Sequence, residues 1–306
     1  MPDPAVSRPT GSRVAALISY PVKGCAGVST TTATLTRAGL AHDRGFMVVD
    51  QDGVFRSQRR DPRLAVIRPA IIPDGTCLTL TAPGAGTVSV PVDSSGPRRE
   101  VQLFGDRYRG IDQGDEVAGW LSDVLGGPSR LVRVPPEHDR VTNGETQGTT
   151  GYADGCAVHL LAVSSVDMLN ERLREHGAEP LPATRFRPNI VVTGWSEPHT
   201  EDRLRRLRIG TAELAFAKVA IRCVVTTVDQ RTGRRTGPEP LRTLATYRRA
   251  PGGVSFGANL AVTRPGELAV GDPLIVDQWA APDRHTGPDP AAHPPPLPSF
   301  AMPPPG

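Results

Sequence analysis

Residues 214–228 read LAFAKVAIRCVVTTV. The stretch is apolar, rich in Val, Ile and Thr, and alternates poorly, which is the pattern of a strand covered on both faces. It predicts a strand over 212–228 in a β-rich fold. One polar pair interrupts it, Arg222 beside Cys223, deep inside the run. A charge in such surroundings has to be paired or meet an anion. A thiol next to a guanidinium is drawn towards the thiolate, suited to nucleophilic attack or to a soft metal. An inert buried cysteine, with Arg222 merely at a strand end, fits the same residues.

Outward from this run the chain is punctuated like a β protein. Short strands are predicted at 14–20, 28–36, 46–49, 64–72, 77–81, 88–91 and 99–104, separated by Gly, Pro, Asp and Ser. Residues 115–125, DEVAGWLSDVL, place Val117, Trp120, Leu121, Val124 and Leu125 at helical spacing, and Gly126 and Gly127 stop the helix. A strand follows at 131–136. The polar stretch 137–154, rich in Gly and Thr, reads as a linker or an active-site lid. Beyond it come a strand at 158–163, a helix at 166–176 with Val166, Leu169 and Leu173 inward, and strands at 190–192, 207–209, 256–262 and 273–276. The fold class is therefore α+β and β-rich, with two or three helices and no βαβαβ succession. No GxGxxG or GxxxxGK[ST] follows a strand, so nicotinamide and P-loop chemistry lack their motif.

Composition narrows the function classes. The 306 residues suggest about two domains. A net charge of +3, from 35 basic and 32 acidic residues, is too balanced to point to nucleic acid or a membrane surface. There is no 18-residue apolar run and no signal-peptide pattern. Four cysteines without a CxxC pair suggest a reduced, cytoplasmic protein. Lys23 and Lys218 are the only lysines among the 35 basic residues, so each stands where arginine was the easy choice. Ten prolines between 282 and 305 mark a disordered tail of polyproline character.

Three more clusters carry chemistry: YPVKGC at 20–25, HDR at 42–44 and RFRPN at 185–189. Lys23, Arg44 and Arg187 fall at strand ends beside turns, where such groups grip phosphate or carboxylate. Scattered surface ion pairs are the plainer reading of each alone. The seven histidines show no zinc spacing, and His159 reads as a satisfied core residue. There is no GxSxG elbow.

In this order the clusters resemble the MOSC superfamily, the domain at the C-terminus of molybdenum cofactor sulfurases, and within it the amidoxime-reducing branch. The similarity runs from 14 to 278 through YPVKGC (20–25), HDRGFMVVDQDGVFRSQRRDPRLAVI (42–67), YADGCAVHLLAVSSVDMLNERL (152–173), RFRPNIVVTG (185–194), RCVVTTVDQRTG (222–233), EPLRTLATYR (239–248), FGANLAV (256–262) and VGDPLIV (270–276). The resemblance implies an N-terminal MOSC β-barrel domain at 14–130 and a MOSC β-barrel domain with a few helices at 131–279; composition adds a flexible N-terminus at 1–13 and a Pro-rich disordered tail at 280–306. It implies a molybdenum–molybdopterin cofactor, with Cys223 as metal ligand and catalytic residue. Lys23, Gly24, Arg44, Gly155, Cys156, Arg187, Asn189, Arg222 and Asn259 would contact the cofactor. The family often has Ser where Gly24 stands and small hydroxyl residues at Gly155 and Cys156.

The activity implied is reduction of small N-hydroxylated or N-oxygenated compounds. No cysteine follows Cys223 to hold an iron–sulfur cluster, so electrons would come from a separate donor such as a ferredoxin or a flavoprotein reductase. A cofactor carrier or sulfur-handling module without turnover is the alternative. Family members of the sulfurase type also carry a pyridoxal-phosphate domain. With only Lys23 and Lys218 available for a Schiff base and no such domain preceding, self-contained desulfurase chemistry is not expected. A β-barrel interaction protein without cofactor is the third reading, which metal analysis separates from the other two.

Overall fold

The computed structural model describes residues 11–281. Its largest element is a nine-stranded sheet. The strand order is Val28–Thr30, Arg13–Ser19, Ile190–Thr193, Val158–Ala162, Gly253–Arg264, Ala212–Arg222, Leu204–Ile209 and Leu274–Trp279, with Arg249–Ala250 paired on Gly253–Arg264. Val158–Ala162 and Ile190–Thr193 run parallel, so the chain between them must cross over. Helix α2, counted after α1 (Asp115–Leu125), makes that crossover at Val163–Glu175. It buries Val166, Leu169 and Leu173 against Phe186, Leu244 and Phe256, next to α3 (Leu241–Tyr247).

The earlier part of the chain builds smaller sheets. Phe46–Val49, Arg130–Arg133, Asp106–Asp112 and Arg98–Leu103 form one; Arg68–Ile71, Cys77–Ala82 and Gly86–Pro91 form another. Between them lies a core of Val22, Leu64, Ile67, Leu78, Leu80, Val117, Leu121 and Leu131. Helix α1 keeps the predicted bounds, and its Val117, Leu121 and Val124 face this core. Gly126 ends it in the left-handed region, φ 74°, which a residue without Cβ adopts cheaply.

The two parts are interlocked. Arg13–Ser19 pairs antiparallel with Ile190–Thr193, and Thr32–Thr36 pairs with Gly266–Ala269. Residues 11–13 do not belong to a flexible N-terminus: the buried Ser12 hydroxyl donates to the Leu274 carbonyl at 3.1 Å, and Arg13 is already in strand register with Thr193. Ala280 likewise donates its N–H to the Arg203 carbonyl. Residues 1–10 and 282–306, where the flexible start and the proline tail were expected, lie outside the described residues.

Other departures have local causes. The predicted strand at 64–72 opens with a 3-10 turn, Pro62–Val66, because proline has a fixed φ and no N–H to give a ladder. The stretch 28–36 breaks at Thr31, and its halves join different sheets. The polar stretch 137–154 is neither free linker nor free lid. It forms the hairpin Val141–Thr142/Gly148–Thr149 and is tied down by Glu145 N–H to Ala217 O and by Lys218 Nζ to Asn143 Oδ1 at 2.7 Å.

Candidate functional site

A cleft of about 950 Å³, its open mouth included, lies where the two parts meet. Lys23, Gly24, Arg44, Cys156, Arg187, Asn189, Arg222, Cys223 and Asn259 all line it. These residues come from six separate stretches of chain. Gly155 alone of the expected set is not among the lining residues. It stands behind Asn259, so close that a Cβ there would be 3.0 Å from the Asn259 Nδ2.

The Arg222–Cys223 pair is not inside the apolar strand. Ala212–Arg222 ends at Arg222, and Cys223, in extended backbone, opens the 3-10 turn Val224–Thr227. The Cys223 carbonyl accepts from the Thr226 N–H and hydroxyl at 3.0 and 2.9 Å, so this threonine diverts the chain from the ladder. This leaves the Cys223 side chain half-buried on the cleft wall. Arg59, from the first part of the chain, faces its sulfur closely enough to be held in its charged form.

The cations are set by backbone and stacking. Arg44 and Arg187 both adopt left-handed backbone, φ 47° and 57°, which costs an ordinary residue about 1–3 kcal/mol. Backbone bonds hold them there: Arg44 N–H donates across the fold to Tyr20 O at 2.7 Å, and Arg187 N–H closes the local turn Ala183–Phe186 on Thr184 O at 3.1 Å. The Tyr20 ring lies between the two guanidiniums, 4.3 Å from Arg44 and 4.1 Å from Arg187. Burial pushes the Tyr20 hydroxyl up to about 12, so the ring stays neutral. Arg44 forks onto Asp43 at 2.8 and 2.7 Å. Arg187 donates to Cys25 O at 2.7 Å and to Gln230 Oε1 at 3.3 Å.

Asn189 is committed to protein partners. Its amide donates to Ile18 O and Asp43 Oδ1, and its oxygen accepts from Arg44 and the His159 N–H. It positions Arg44 and retains no spare amide hydrogen for a ligand. His159 is buried as expected, with its Nε2 3.3 Å from Phe256 O, yet it also lines the cleft floor. Burial, then the charge of Arg222, hold it well below the usual histidine range, so it is neutral. The left-handed Gly257 makes this packing possible, since a Cβ there would lie 2.4 Å from the His159 ring.

Lys23 is buried between Phe55 and Phe104, donates to Tyr152 O at 2.8 Å and forms an ion pair with Asp154. Burial lowers the pKa of its ammonium and Asp154 opposes that shift. For Asp154, desolvation works against ionisation, but Lys23, Arg44 and Arg187 together pull the carboxyl down to about 2. Cys156 is buried, and that burial pushes its thiol up, with Thr142 and Lys218 opposing. The Cys25 thiol, fully buried beneath Arg187, is pushed up to about 12 and is inert.

The arrangement suits an anion with a soft centre. Lys23, Arg44, Arg59, Arg187 and Arg222 face the cleft, against Asp154 as its one lining carboxylate. Two buried donors there have no protein partner, Arg187 Nη2 and Arg222 Nε. Buried guanidinium N–H groups left unpaired are costly, and a bound phosphate would satisfy them. Burial lowers the Arg222 guanidinium to about 10, and an anion would restore it. The accessible Cys223 sulfur is a ligand for a soft metal. The donor set therefore fits a molybdenum–pterin cofactor. Asp154, Arg59 and Tyr20 were not singled out from the sequence. Asp154 and Arg59 sit inside the quoted 152–173 and 42–67 stretches, but what they contact is decided by long-range packing.

Comparison with known proteins identifies the two parts of the chain. Residues 11–128 match the MOSC N-terminal beta barrel domain and residues 147–275 the MOSC domain. Mitochondrial amidoxime reducing component 2 of Rattus norvegicus is 35% identical over 282 residues, covering 83% of this chain and 80% of that protein. Mitochondrial amidoxime-reducing component 1 of Homo sapiens is 33% identical over 284 residues, covering 86% and 82%. Molybdenum cofactor sulfurase of Danio rerio is 35% identical over 269 residues, covering 80% of this chain but only 31% of the sulfurase. Among the described residues no helix is long and apolar enough to cross a membrane.

Proposed function

The chain belongs to the MOSC family, with both its N-terminal β-barrel domain and its MOSC domain, and from that premise we propose that it is a molybdenum-cofactor oxidoreductase that reduces small N-hydroxylated compounds with electrons from a separate protein. The observation that carries the reading is the meeting of five cations, two of them with unpartnered buried N–H groups, and one accessible thiol in a single cleft.

Cys223 would ligate the metal through its sulfur. Arg187 and Arg222 would bind the cofactor's anionic part through their free N–H groups, and Lys23 and Arg44 would add charge. The backbone of Gly24 and the side chains of Cys156 and Asn259 would border it. When bound, the cofactor supplies the two-electron chemistry by which an N–OH group loses its oxygen. Asp154 is ionised and stands in the cleft beside Lys23, so it accepts hydrogen bonds from a polar substrate. Neutral His159 and the buried Phe186 close the floor against water. Asn189 and Tyr20 hold Arg44 and Arg187 at fixed angles, so the charges need not reorganise when an anion enters.

Similarity to the sulfurase supports a second reading, a cofactor carrier without turnover. Metal analysis and turnover separate the two. Purified protein should contain molybdenum and reduce an amidoxime with reduced viologen dye. Cys223→Ala should lose the metal and the turnover, while Cys77→Ala, in the sheet remote from the cleft, should keep both. Full metal and activity in Cys223→Ala would overturn the ligand assignment. Metal without any dye-driven turnover in the wild type would favour the carrier.

A further inference from the structure

Six exposed arginines lie on two stretches, distant in sequence, that pack together beside the cleft. Arg59, Arg60 and Arg63 lead into and through the turn Pro62–Val66. Arg231, Arg234 and Arg235 belong to the hairpin Val228–Asp229/Arg234–Arg235. The hairpin lies against the turn: the Arg235 guanidinium donates to the Arg59 carbonyl, and a Cβ on Gly233 would be 3.2 Å from Arg63 Cα and from Pro62 O. Reciprocal amide bonds between Gln58 and Gln230, at 3.1 and 2.9 Å, staple the two stretches together.

The carboxylates in these stretches are engaged elsewhere. Asp61 accepts from Arg56 at 2.7 Å; Asp229 accepts from Arg185 at 3.3 Å and from the backbone of Arg231 and Thr232. Among the described residues none of the six arginines forms an ion pair. A chain with a net charge of only +3 thus concentrates unpaired positive charge on one surface, where like charges repel and no internal contact compensates. The surface is continuous with the cleft. Arg59 lines the cleft facing Cys223, and Gln58 and Val225, also on its wall, adjoin the two arginine stretches.

We propose that this arginine surface is the docking site of an acidic electron-transfer protein, an assignment that rests on the reductase reading above. Guanidinium forks pair well with surface carboxylates and steer an oppositely charged partner. Each docked donor is oxidised by one electron. Two electrons and two protons break the N–O bond of an N–OH substrate, leaving N–H and water. Continuity with the cleft favours a redox partner over a nucleic acid, which would match the charge but make no use of the cleft.

The test uses the full chain carrying Arg60→Glu, Arg231→Glu and Arg234→Glu, which leaves Arg59 and the Arg235 bond untouched. The probe is an acidic [2Fe–2S] ferredoxin, its binding measured by titration at low salt. Binding and ferredoxin-driven kcat/KM should each fall about tenfold or more, with the wild type's salt dependence flattened and dye-driven turnover unchanged. The triple Gln variant should show a smaller loss of the same kind, and it decides the matter if the Glu variant does not fold. A variant that binds ferredoxin like the wild type, or a wild type that binds a DNA duplex more tightly than ferredoxin, would overturn the assignment. A wild type without dye-driven turnover, but with the same charge-dependent ferredoxin binding, would fault the activity and leave the docking surface standing.

Discussion

At the scale of single residues, this protein uses burial to keep polar groups in one state. Neutral Tyr20 separates two cations, and neutral His159 sits under a third. Glu201 extends the pattern away from the cleft. It is fully buried, accepts from the Ser165 hydroxyl at 2.8 and 2.9 Å and from the Ala162 N–H at 3.2 Å, and has no cation partner. Burial pushes its carboxyl up to about 7. An unfolded glutamate titrates near about 4.3, so between the two values the folded state holds the extra proton. Stability is then fully present below the unfolded value and falls as pH rises through the folded one, by roughly 4 kcal/mol in total. Glu201→Gln, uncharged at every pH, should remove that part of the slope. Thermal melts from about pH 5 to about pH 8 should converge on a flatter profile for the variant, with the variant the more stable at the alkaline end. An unchanged slope would show that Glu201 is ionised in the fold.

At the scale of elements, what could be read in the sequence follows how local the cause is. Helix α1 kept its predicted bounds because its period, its acidic first turn and its glycine stop all lie within a dozen residues. Leu121 is its most buried side chain, at 0% exposed. Leu121→Ala should therefore cost about 2–5 kcal/mol, read as a lowered denaturation midpoint with unchanged slope, while a polar exchange at exposed Glu116 should do little. The strand Asp106–Asp112 escaped notice because DRYRGID is mostly polar on its open face, and its turn, Phe104-Gly105, lacks the usual Asn-Gly or Asp-Gly signal. The length of the 212–228 strand was overestimated because Val224, Val225 and Val228 continue the apolar pattern through a 3-10 turn. In the cleft, residue types at strand ends marked Lys23, Arg44 and Arg187, and a charge interrupting an apolar run marked Arg222. Their arrangement was not legible, because Lys23 meets Asp154, and Arg44 meets Asn189, only after more than a hundred residues of chain have folded between them.

At the scale of the whole molecule, the same long-range pairing governs whether the parts can exist alone. A cut at 130 would follow the expected domain boundary, yet it would strip the large sheet of Arg13–Ser19 and Val28–Thr30. Ile190–Thr193 would become an open edge beside parallel Val158–Ala162, and Leu17, Leu35 and Leu40 would leave the core they fill with Ile190, Val192 and Leu268. An exposed apolar edge strand recruits other chains, and parallel pairing is slow to form without its neighbours. Residues 131–281 expressed alone should therefore be insoluble or lack a cooperative unfolding transition. Co-expressed with residues 11–130 they should be recovered as a complex, because the pieces share the pairings of Arg13–Ser19 with Ile190–Thr193, of Thr32–Thr36 with Gly266–Ala269 and of Arg130–Arg133 with Phe46–Val49 and Asp106–Asp112, together with the Lys23–Asp154 ion pair. The cleft would be rebuilt only in that complex, since its cations come from both pieces. Soluble 131–281 with a sharp, reversible melt of its own would show that the second part closes its sheet without the first, and that the interlocking strands add contacts rather than complete a core.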